Sequence, residues 1–305
     1  MDLNFSITLF LISMHLQNKV MELMEENDYD YFSYSGCFDI LARKDEIFLL
    51  KLLNNIDSFQ QEQADNLKVV SKNLDAQAFL VGSKTRRELL EDNIIYERFS
   101  VPAVTPNTLE NILESKIPKI SRSRGGLFVN VNPQKLREGR EKAGLSQSEL
   151  ARKIGITKKS IYEHEHKEMK ADYEIVKMIE KIIGNVSEPA NTSLGSVEIK
   201  NKPKENFEKN IAAYLKKIGF DISFVSQTPF NIIAKEEFMI FSDAENSKKL
   251  VEKNSIFMKE FSNITEKSVL VIAKEEINAE IPSLQEKELK ELHSSKDIRK
   301  FLRKW

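Results

Sequence analysis

Leu145-Ser146-Gln147-Ser148-Glu149-Leu150-Ala151-Arg152-Lys153-Ile154-Gly155-Ile156-Thr157-Lys158-Lys159-Ser160-Ile161-Tyr162-Glu163-His164-Glu165 decides the fold, because two short helices and the turn between them can be read from it residue by residue. Leu150, Ala151 and Ile154 fall at i, i+1 and i+4, one face of a helix that begins near Gln147. Ser146 supplies its N-cap, and Glu149 completes a capping box. Gly155 stands where the chain must leave that helix at positive φ. Thr157 then caps a second helix, whose Ile161 meets Ala151, a residue small enough to let the two helices approach closely. Upstream, Leu136, Arg140 and Ala143 define a preceding helix ended by Gly144. Downstream, Tyr173, Val176, Met178, Ile179, Ile182 and Ile183 form an apolar stripe closed by Gly184. These helices together predict a small all-α domain.

The pattern resembles the Cro and lambda-repressor type helix-turn-helix family over residues 132–186. The likeness rests on Leu136-Arg137-x-x-Arg140, Gly144-Leu145-Ser146-Gln147, Leu150-Ala151, Ile154-Gly155-Ile156-Thr157 and Ile161-Tyr162-x-x-Glu165. The resemblance implies double-stranded DNA as partner. It places Gln147 and the N-terminus of its helix at phosphates, and Lys158, Lys159, Ser160 and Tyr162 against the major groove. The implied DNA-contacting set is Gln147, Ser148, Thr157, Lys158, Lys159, Ser160, Tyr162 and Glu163. The residue chemistry agrees, since lysines and free helix amides suit phosphate oxygens, and Ser, Lys and Tyr reach base edges. A helix pair that binds only protein, as in a bridging coactivator, is the bland alternative.

Charge supports the same region. The chain carries a net charge of −1, yet residues 115–186 hold 16 Lys or Arg against 9 Asp or Glu, a local net of +7. A basic segment between acidic flanks suits DNA contact through one face. At 305 residues the chain exceeds one helical module several-fold, so further domains with their own cores are required. Its single cysteine, Cys37, excludes a disulfide framework and any multi-cysteine zinc site. The apolar run Phe5 to Met14 is too short to span a bilayer and lacks the features of a secretory signal. A cytoplasmic protein without membrane contact is expected, the run either padding the first helix or preceding a natural start at Met14.

The flanks contain an internal repeat. The first copy reads as a helix at Leu16–Asn27, then Tyr29-Asp30-Tyr31-Phe32-Ser33, Cys37 to Lys44 and Ile47-Phe48-Leu49-Leu50-Lys51. The second reads as a helix at Phe207–Lys217, then Phe220-Asp221-Ile222-Ser223-Phe224, Pro229 to Lys235 and Phe238-Met239-Ile240-Phe241-Ser242. Each continues through a helical stretch into an apolar strand, Ala78–Gly82 and Ser268–Ile272, and the first extends through Val101–Val104 and a helix at Thr108–Leu113. A small α/β domain occurring twice is predicted.

An acid leading one strand and a lysine ending the next resemble restriction-endonuclease-like domains, including Holliday-junction resolvases. Those enzymes need Asp followed by Glu-x-Lys to bring a divalent ion and activated water to a phosphate. Copy one offers Asp39 and Lys51 but has Leu49 at the Glu position. Copy two has Asn231 for Asp39 and, allowing one deletion, Ser242 for Lys51. Asp45, Glu46 and Glu22 are the acids that a nuclease would have to recruit. Degenerate domains without catalysis are the favoured reading, and a structure-specific nuclease or junction-binding protein is the alternative.

The whole arrangement looks like a family of archaeal helix-turn-helix transcriptional regulators, on the strength of Val101 to Glu110 and the double glycine that opens a strand at Gly125-Gly126-Leu127-Phe128-Val129-Asn130-Val131. The expected fold is multidomain α/β plus all-α. Residues 1–124 form an α/β domain that includes a basic connector from Pro118 to Arg124. Residues 125–186 form the helix-turn-helix domain, 187–204 a linker and 205–305 the repeated α/β domain. Glu163-His164-Glu165-His166 looks metal-like, but alternate helix residues point about 200° apart, so both histidines are assigned to the exposed helix end. The Lys296–Trp305 segment, with Ile298, Phe301, Leu302 and Trp305 on one face, is expected to pack onto the C-terminal domain. No cofactor, metal or catalytic residue is assigned and no enzyme is expected. A homodimer reading two half-sites is, since one module affords limited specificity.

Overall fold

The computed structural model of the chain describes residues 3–194, 201–277 and 279–305, with side chains from Met14 onward. The first α/β copy runs α1 (Leu3–Glu26), β1 (Asp30–Ser33), β2 (Ile40–Arg43), β3 (Ile47–Leu52), α2 (Gln61–Leu74), β4 (Gln77–Val81), β5 (Ile94–Arg98), β6 (Val101–Val104) and α3 (Pro106–Leu113). Next come β7 (Ile120–Ser123), β8 (Gly126–Val131), α4 (Pro133–Lys142), α5 (Gln147–Ile154), α6 (Lys158–His166), β9 (Met169–Asp172), α7 (Tyr173–Ile183) and β10 (Ser187–Glu188). The second copy follows as α8 (Asn206–Lys217), β11 (Asp221–Phe224), β12 (Ile232–Lys235), β13 (Met239–Glu245), α9 (Lys248–Thr265), β14 (Ser268–Ala273), β15 (Ser283–Gln285), α10 (Glu286–Leu289) and α11 (Ser295–Leu302).

The repeat extends to local chemistry. Helices α2 and α9 both end in a left-handed residue, Asp75 at φ 53° and Glu266 at φ 56°. In each, a serine one turn earlier closes the end: Ser71 Oγ donates to Ala76 O at 2.6 Å and Ser262 Oγ to Lys267 O at 2.8 Å.

By its contacts the chain forms two compact units. One comprises Val20–Leu52, Phe59–Phe79 and the chain from Leu194 onward; the other comprises the chain up to Lys19, Leu53–Ser58 and Leu80–Ser193. In the former, β1, β2 and β3 form an antiparallel meander, and β11, β12 and β13 form its counterpart, continued by the parallel strands β14 and β15. Phe207, Ile211 and Leu215 of α8 bury against Ile232, Ile240, Leu270 and Ile272 of that second sheet, and Leu289 and Ile298 belong to the same core. Phe301 and Leu302 pack there too, whereas Trp305, expected on the same face, is 64% exposed because the helix ends at Leu302.

Within this unit the second copy docks on the β1–β2 end of the first. Cys37 N donates to Gln227 O at 2.7 Å, the Tyr34 ring meets Phe257 of α9 edge-on at 5.1 Å, and Arg43 Nη1 donates to Ile264 O at 2.9 Å. The segment expected as linker is anchored at its end, Asn201 Nδ2 donating to Asn66 Oδ1 at 2.9 Å; residues 195–200 of that segment lie outside the described residues. Gly36 marks the closest approach, since a Cβ there would lie 2.0 Å from Gln227 O. Gly36→Ala is expected to cost about 2–3 kcal/mol through forced backbone displacement, read as a lower urea midpoint at unchanged m-value.

The other unit joins α/β strands to the helical module through one run of backbone pairing. Strand β4 pairs with β6 in parallel, β6 with β5 antiparallel, and β5 with β7 in parallel through Ile94↔Ile120 and Ile95↔Ser121. Strand β8 then pairs antiparallel with β7, β9 and β10. The expectation of an all-helical module is therefore incomplete: Val129, Val131 and Ala171 from β8 and β9 share its core with Leu136, Leu150, Ala151, Ile154, Ile161, Val176 and Ile179. The basic connector contains strand β7, and Ser187 and Glu188, which open the expected linker, form β10. Met178 and Ile182 face solvent at 37% exposure each, because Tyr173, Ile175, Val176, Ile179 and Ile183 already cover the core side of α7.

Candidate nucleic-acid interface

The helix pair is locked by the local chemistry its sequence specifies. Ser146 Oγ accepts from Glu149 N at 3.2 Å while Glu149 accepts from Ser146 N at 2.8 Å, the reciprocal capping box. Gly155 adopts φ +77°, and Thr157 Oγ1 accepts from Ser160 N at 3.1 Å to start α6. Leu150, Ala151, Ile154 and Ile161 are buried, so α5 and α6 are fixed by their inner faces.

A buried ion pair fixes the third helix. Arg140 of α4 donates from Nε to Glu165 Oε1 at 2.5 Å and from Nη2 to Oε2 at 3.1 Å, with side-chain exposures of 10% and 1%. Arg140 Nη1 also donates to Leu145 O at 2.8 Å, and Gln147 Nε2 to Glu165 Oε2 at 2.8 Å. Burial alone would push the Glu165 carboxyl up, but the hydrogen bonds from Arg140 and Gln147 outweigh it and hold it below the ordinary glutamate range. The expectation that both histidines lie at the exposed helix end holds for one of them. Glu165 is buried, and half-buried His164, its pKa lowered by burial, has no hydrogen-bond partner for Nδ1 among the described residues. Only His166 stays out, stacked on Tyr162 at 4.1 Å with Nδ1 2.7 Å from Tyr162 O.

With these groups occupied, the outer face of the pair is defined. Ser148, Thr157, Lys158, Lys159 and Tyr162 are exposed; Ser160 and Glu163 are partly so. Gln147 is half-buried, its amide nitrogen engaged by Glu165. Lys159 stands 4.0 Å from Glu163, an exposed i,i+4 pair, and Lys158 makes no ion pair among the described residues. Seven of the eight sequence-assigned residues thus belong to two adjoining helices, Thr157 caps the second, and the lysines and tyrosine project from α6.

The nuclease-like positions form a second polar cluster. Asp39 Oδ1 accepts from Lys51 Nζ at 2.9 Å, its Oδ2 accepts from Leu52 N at 2.7 Å, and Lys51 also donates to Gly36 O at 2.8 Å. Burial pushes the Asp39 carboxyl up despite Lys51, and pushes the Cys37 thiol up to about 12. In copy two the strand register pairs Ile232 with Ser242 as it pairs Ile40 with Leu50 in copy one, so the counterpart of Lys51 is Asp243 and not Ser242. The three-residue turns at Lys44–Glu46 and Glu236–Phe238 are equal in length, and Phe238 belongs to its turn, its ring lying edge-on to Phe220 at 5.5 Å. Asp243 is buried, hydrogen-bonded by Asn254 Nδ2 at 3.0 Å, and desolvation chiefly pushes its carboxyl up to about 7. A two-carboxylate metal set is not made up in either copy: Leu49 is fully buried at the Glu position, Phe241 replaces it in copy two, and both Asp39 oxygens are engaged. Among the described residues no group of three or more His, Cys, Asp or Glu side chains is placed to hold a metal ion.

Residues 13–118 match the family described as a PD-(D/E)XK superfamily domain, and residues 136–190 match the one described as helix-turn-helix. A protein of Thermococcus gammatolerans, provisionally named an HTH-type transcriptional regulatory protein, is 31% identical over 268 residues, 84% of each chain. The chain belongs to this family of regulatory proteins from archaea. A family member of Pyrococcus furiosus with the same provisional name is 36% identical over 208 residues, 66% of each chain, and one of Methanocaldococcus jannaschii is 29% identical over 279 residues, 86% and 87% of the two chains. No solved structure matches this family member at a significant level.

Two residues whose roles sequence reasoning missed organise these sites. Glu165 carried a signal, an acid in register with buried Arg140 across the helix pair; Asp243 carried none, because Phe238 disguised the strand start. Glu165→Ala is expected to cost about 3–5 kcal/mol, since it strands Arg140 in the core, whereas Arg140→Leu with Glu165→Leu should cost far less; chemical denaturation of the four-member cycle measures this. Asp243 gives stability that is full below the unfolded carboxyl range and lost as pH rises through about 7. Asp243→Asn should remove up to about 4 kcal/mol of that decline between about pH 4 and pH 8, with Glu245 and Glu208 the remaining acids of its surroundings.

Proposed function

We propose that this chain is a sequence-specific DNA-binding transcriptional regulator that lays α6 in the major groove of double-stranded DNA. One observation carries the reading: Lys158, Lys159 and Tyr162 project from a helix whose inner face is pinned by Ile161 and by the Arg140–Glu165–Gln147 network. Base readout requires side chains held at fixed spacing on an exposed helix, and this arrangement meets that requirement. The N-terminus of α5, with Gln147 and Ser148, takes a phosphate, and Thr157, Ser160 and Glu163 flank the groove contacts. The provisional names of the relatives support the regulatory role. We read the protein as a non-enzymatic cytoplasmic regulator acting by occupancy: repression where its site overlaps a promoter, activation where it lies beside one. Two copies reading half-sites one turn apart supply the specificity a single module lacks. Among the described residues no helix is long and apolar enough to cross a membrane.

A second reading, a structure-specific nuclease or junction-binding protein, keeps one specific observation, the Asp39–Lys51 pair at 2.9 Å. Both are tested by selecting genomic duplex fragments with the purified protein at physiological salt and magnesium. Intact fragments sharing a two-fold symmetric motif are expected. Cut fragments, abolished by Asp39→Ala, establish the nuclease instead, and no enrichment favours the bridging coactivator. On a selected duplex, Lys158→Ala with Lys159→Ala should weaken binding and reduce the steepness of log K against log salt by about 2; unchanged affinity and slope refute the groove placement.

A further inference from the structure

Helix α11 has no counterpart in the first copy, where the chain passes from α3 into β7. Its inner side is Ile298 with Phe301 and Leu302. Its outer side is a row of cations: Lys296, Arg299, Lys300 and Arg303 fall at i, i+3, i+4 and i+7, all exposed. Residues 294–305 hold five Lys or Arg against one acid, Asp297. That acid is spent on the helix start, accepting from Asp297's own cap partner Ser294 Oγ at 2.9 Å and from His293 N at 3.1 Å.

The same four cations, with Ser295, Phe238, Glu236 and Glu237, line a cleft of about 220 Å³. Arg299 is held within it, Nη1 lying 3.6 Å from a Glu237 oxygen and the guanidinium 5.6 Å from the Phe238 ring centre. Glu236 accepts from Glu237 N at 2.6 Å. Lys296, Lys300 and Arg303 make no ion pair within 4.0 Å among the described residues, which leaves three cations open to solvent over about 10 Å of helix.

We propose that this face of α11 is a second DNA contact, one that grips the sugar–phosphate backbone without reading sequence; it rests on the DNA-binding reading above. A strand presents a phosphate every ~3.4 Å of duplex axis, so a row of this length spans about three of them. A compact anionic ligand fits less well, because Glu236 and Glu237 line the cleft it would enter, whereas a strand crossing the exposed face meets the cations.

The test compares full-length wild type with Lys296→Ala/Lys300→Ala/Arg303→Ala, with Lys158→Ala/Lys159→Ala, and with the combination. Binding to a random duplex and to a genome-selected duplex is followed by fluorescence anisotropy across a salt series, with thermal unfolding as the folding control. The α11 variant is expected to lose about tenfold or more in affinity on both duplexes equally, with log K against log salt shallower by about 2–3. Lys296→Arg/Lys300→Arg should bind as wild type. A slope and affinity equal to wild type on both duplexes overturn the proposal, and so does a loss confined to the selected duplex. If wild type shows no preference for the selected duplex, the regulator reading fails, while the random-duplex comparison still decides the role of α11.

Discussion

One buried carboxylate, Glu165, holds the helix-turn-helix together. Arg140 from α4 and Gln147 from α5 both donate to it, and it belongs to α6, so three helices meet at a single acid. An apolar contact of the same size would be as stabilising or more so, because desolvating two charges offsets most of their attraction. A bidentate fork, however, tolerates little rotation. The pair therefore sets the angle of α6 and the position of the α5 N-terminus together, while Leu150, Ala151, Ile154 and Ile161 supply the burial. The residues left to face outward follow from that geometry.

Strand β8 is the second constraint. It bonds to β7 and β10 along one edge and to β9 along the other, and β7 in turn pairs with β5 of the α/β copy. The module is thus continued from the α/β strands by backbone hydrogen bonds, not hung from a tether. Because β9 directly follows α6, the same strand pairing restrains the C-terminal end of the helix that the capping residue Thr157 starts.

What the sequence made legible follows from which signals are local. Caps, the Gly155 turn and the spacing of Leu150, Ala151, Ile154 and Ile161 act within a few residues, and the structure places each as read. The order of the repeat was legible because the apolar strands β1 to β3 and β11 to β13 each follow one helix, α1 or α8, and precede another, α2 or α9. Strands β7, β9 and β10 were not, since Ile-Ser-Arg-Ser, Met-Lys-Ala-Asp and Ser-Glu are short and polar and become strands only when β8 lies beside them. The exposure of Met178, Ile182 and Trp305 was hidden for the opposite reason: periodicity marks an apolar face but not how much of it a neighbour covers.

The two α/β copies also show why a polar side chain stands at the nuclease-type position in both. Asp39 Oδ2 accepts from Leu52 N, and Asn231 Oδ1 accepts at 2.9 Å from Ala244 N, the amide in the same register. Asn231 Nδ2 completes the pattern by donating to Ala244 O at 2.9 Å. A buried strand end has an amide that must find a partner, and either side chain satisfies it. That need is met by one acceptor oxygen regardless of charge, so a short polar residue serves at this place in both copies. Lys51 and Asp243 carry no such backbone duty in common, and there one copy has an amine and the other a carboxyl. Gly36 lies on the loop that leads to Asp39, and Gln227 of the second copy is seated directly against it. The loop that frames a carboxylate in one copy serves as the joint between the two.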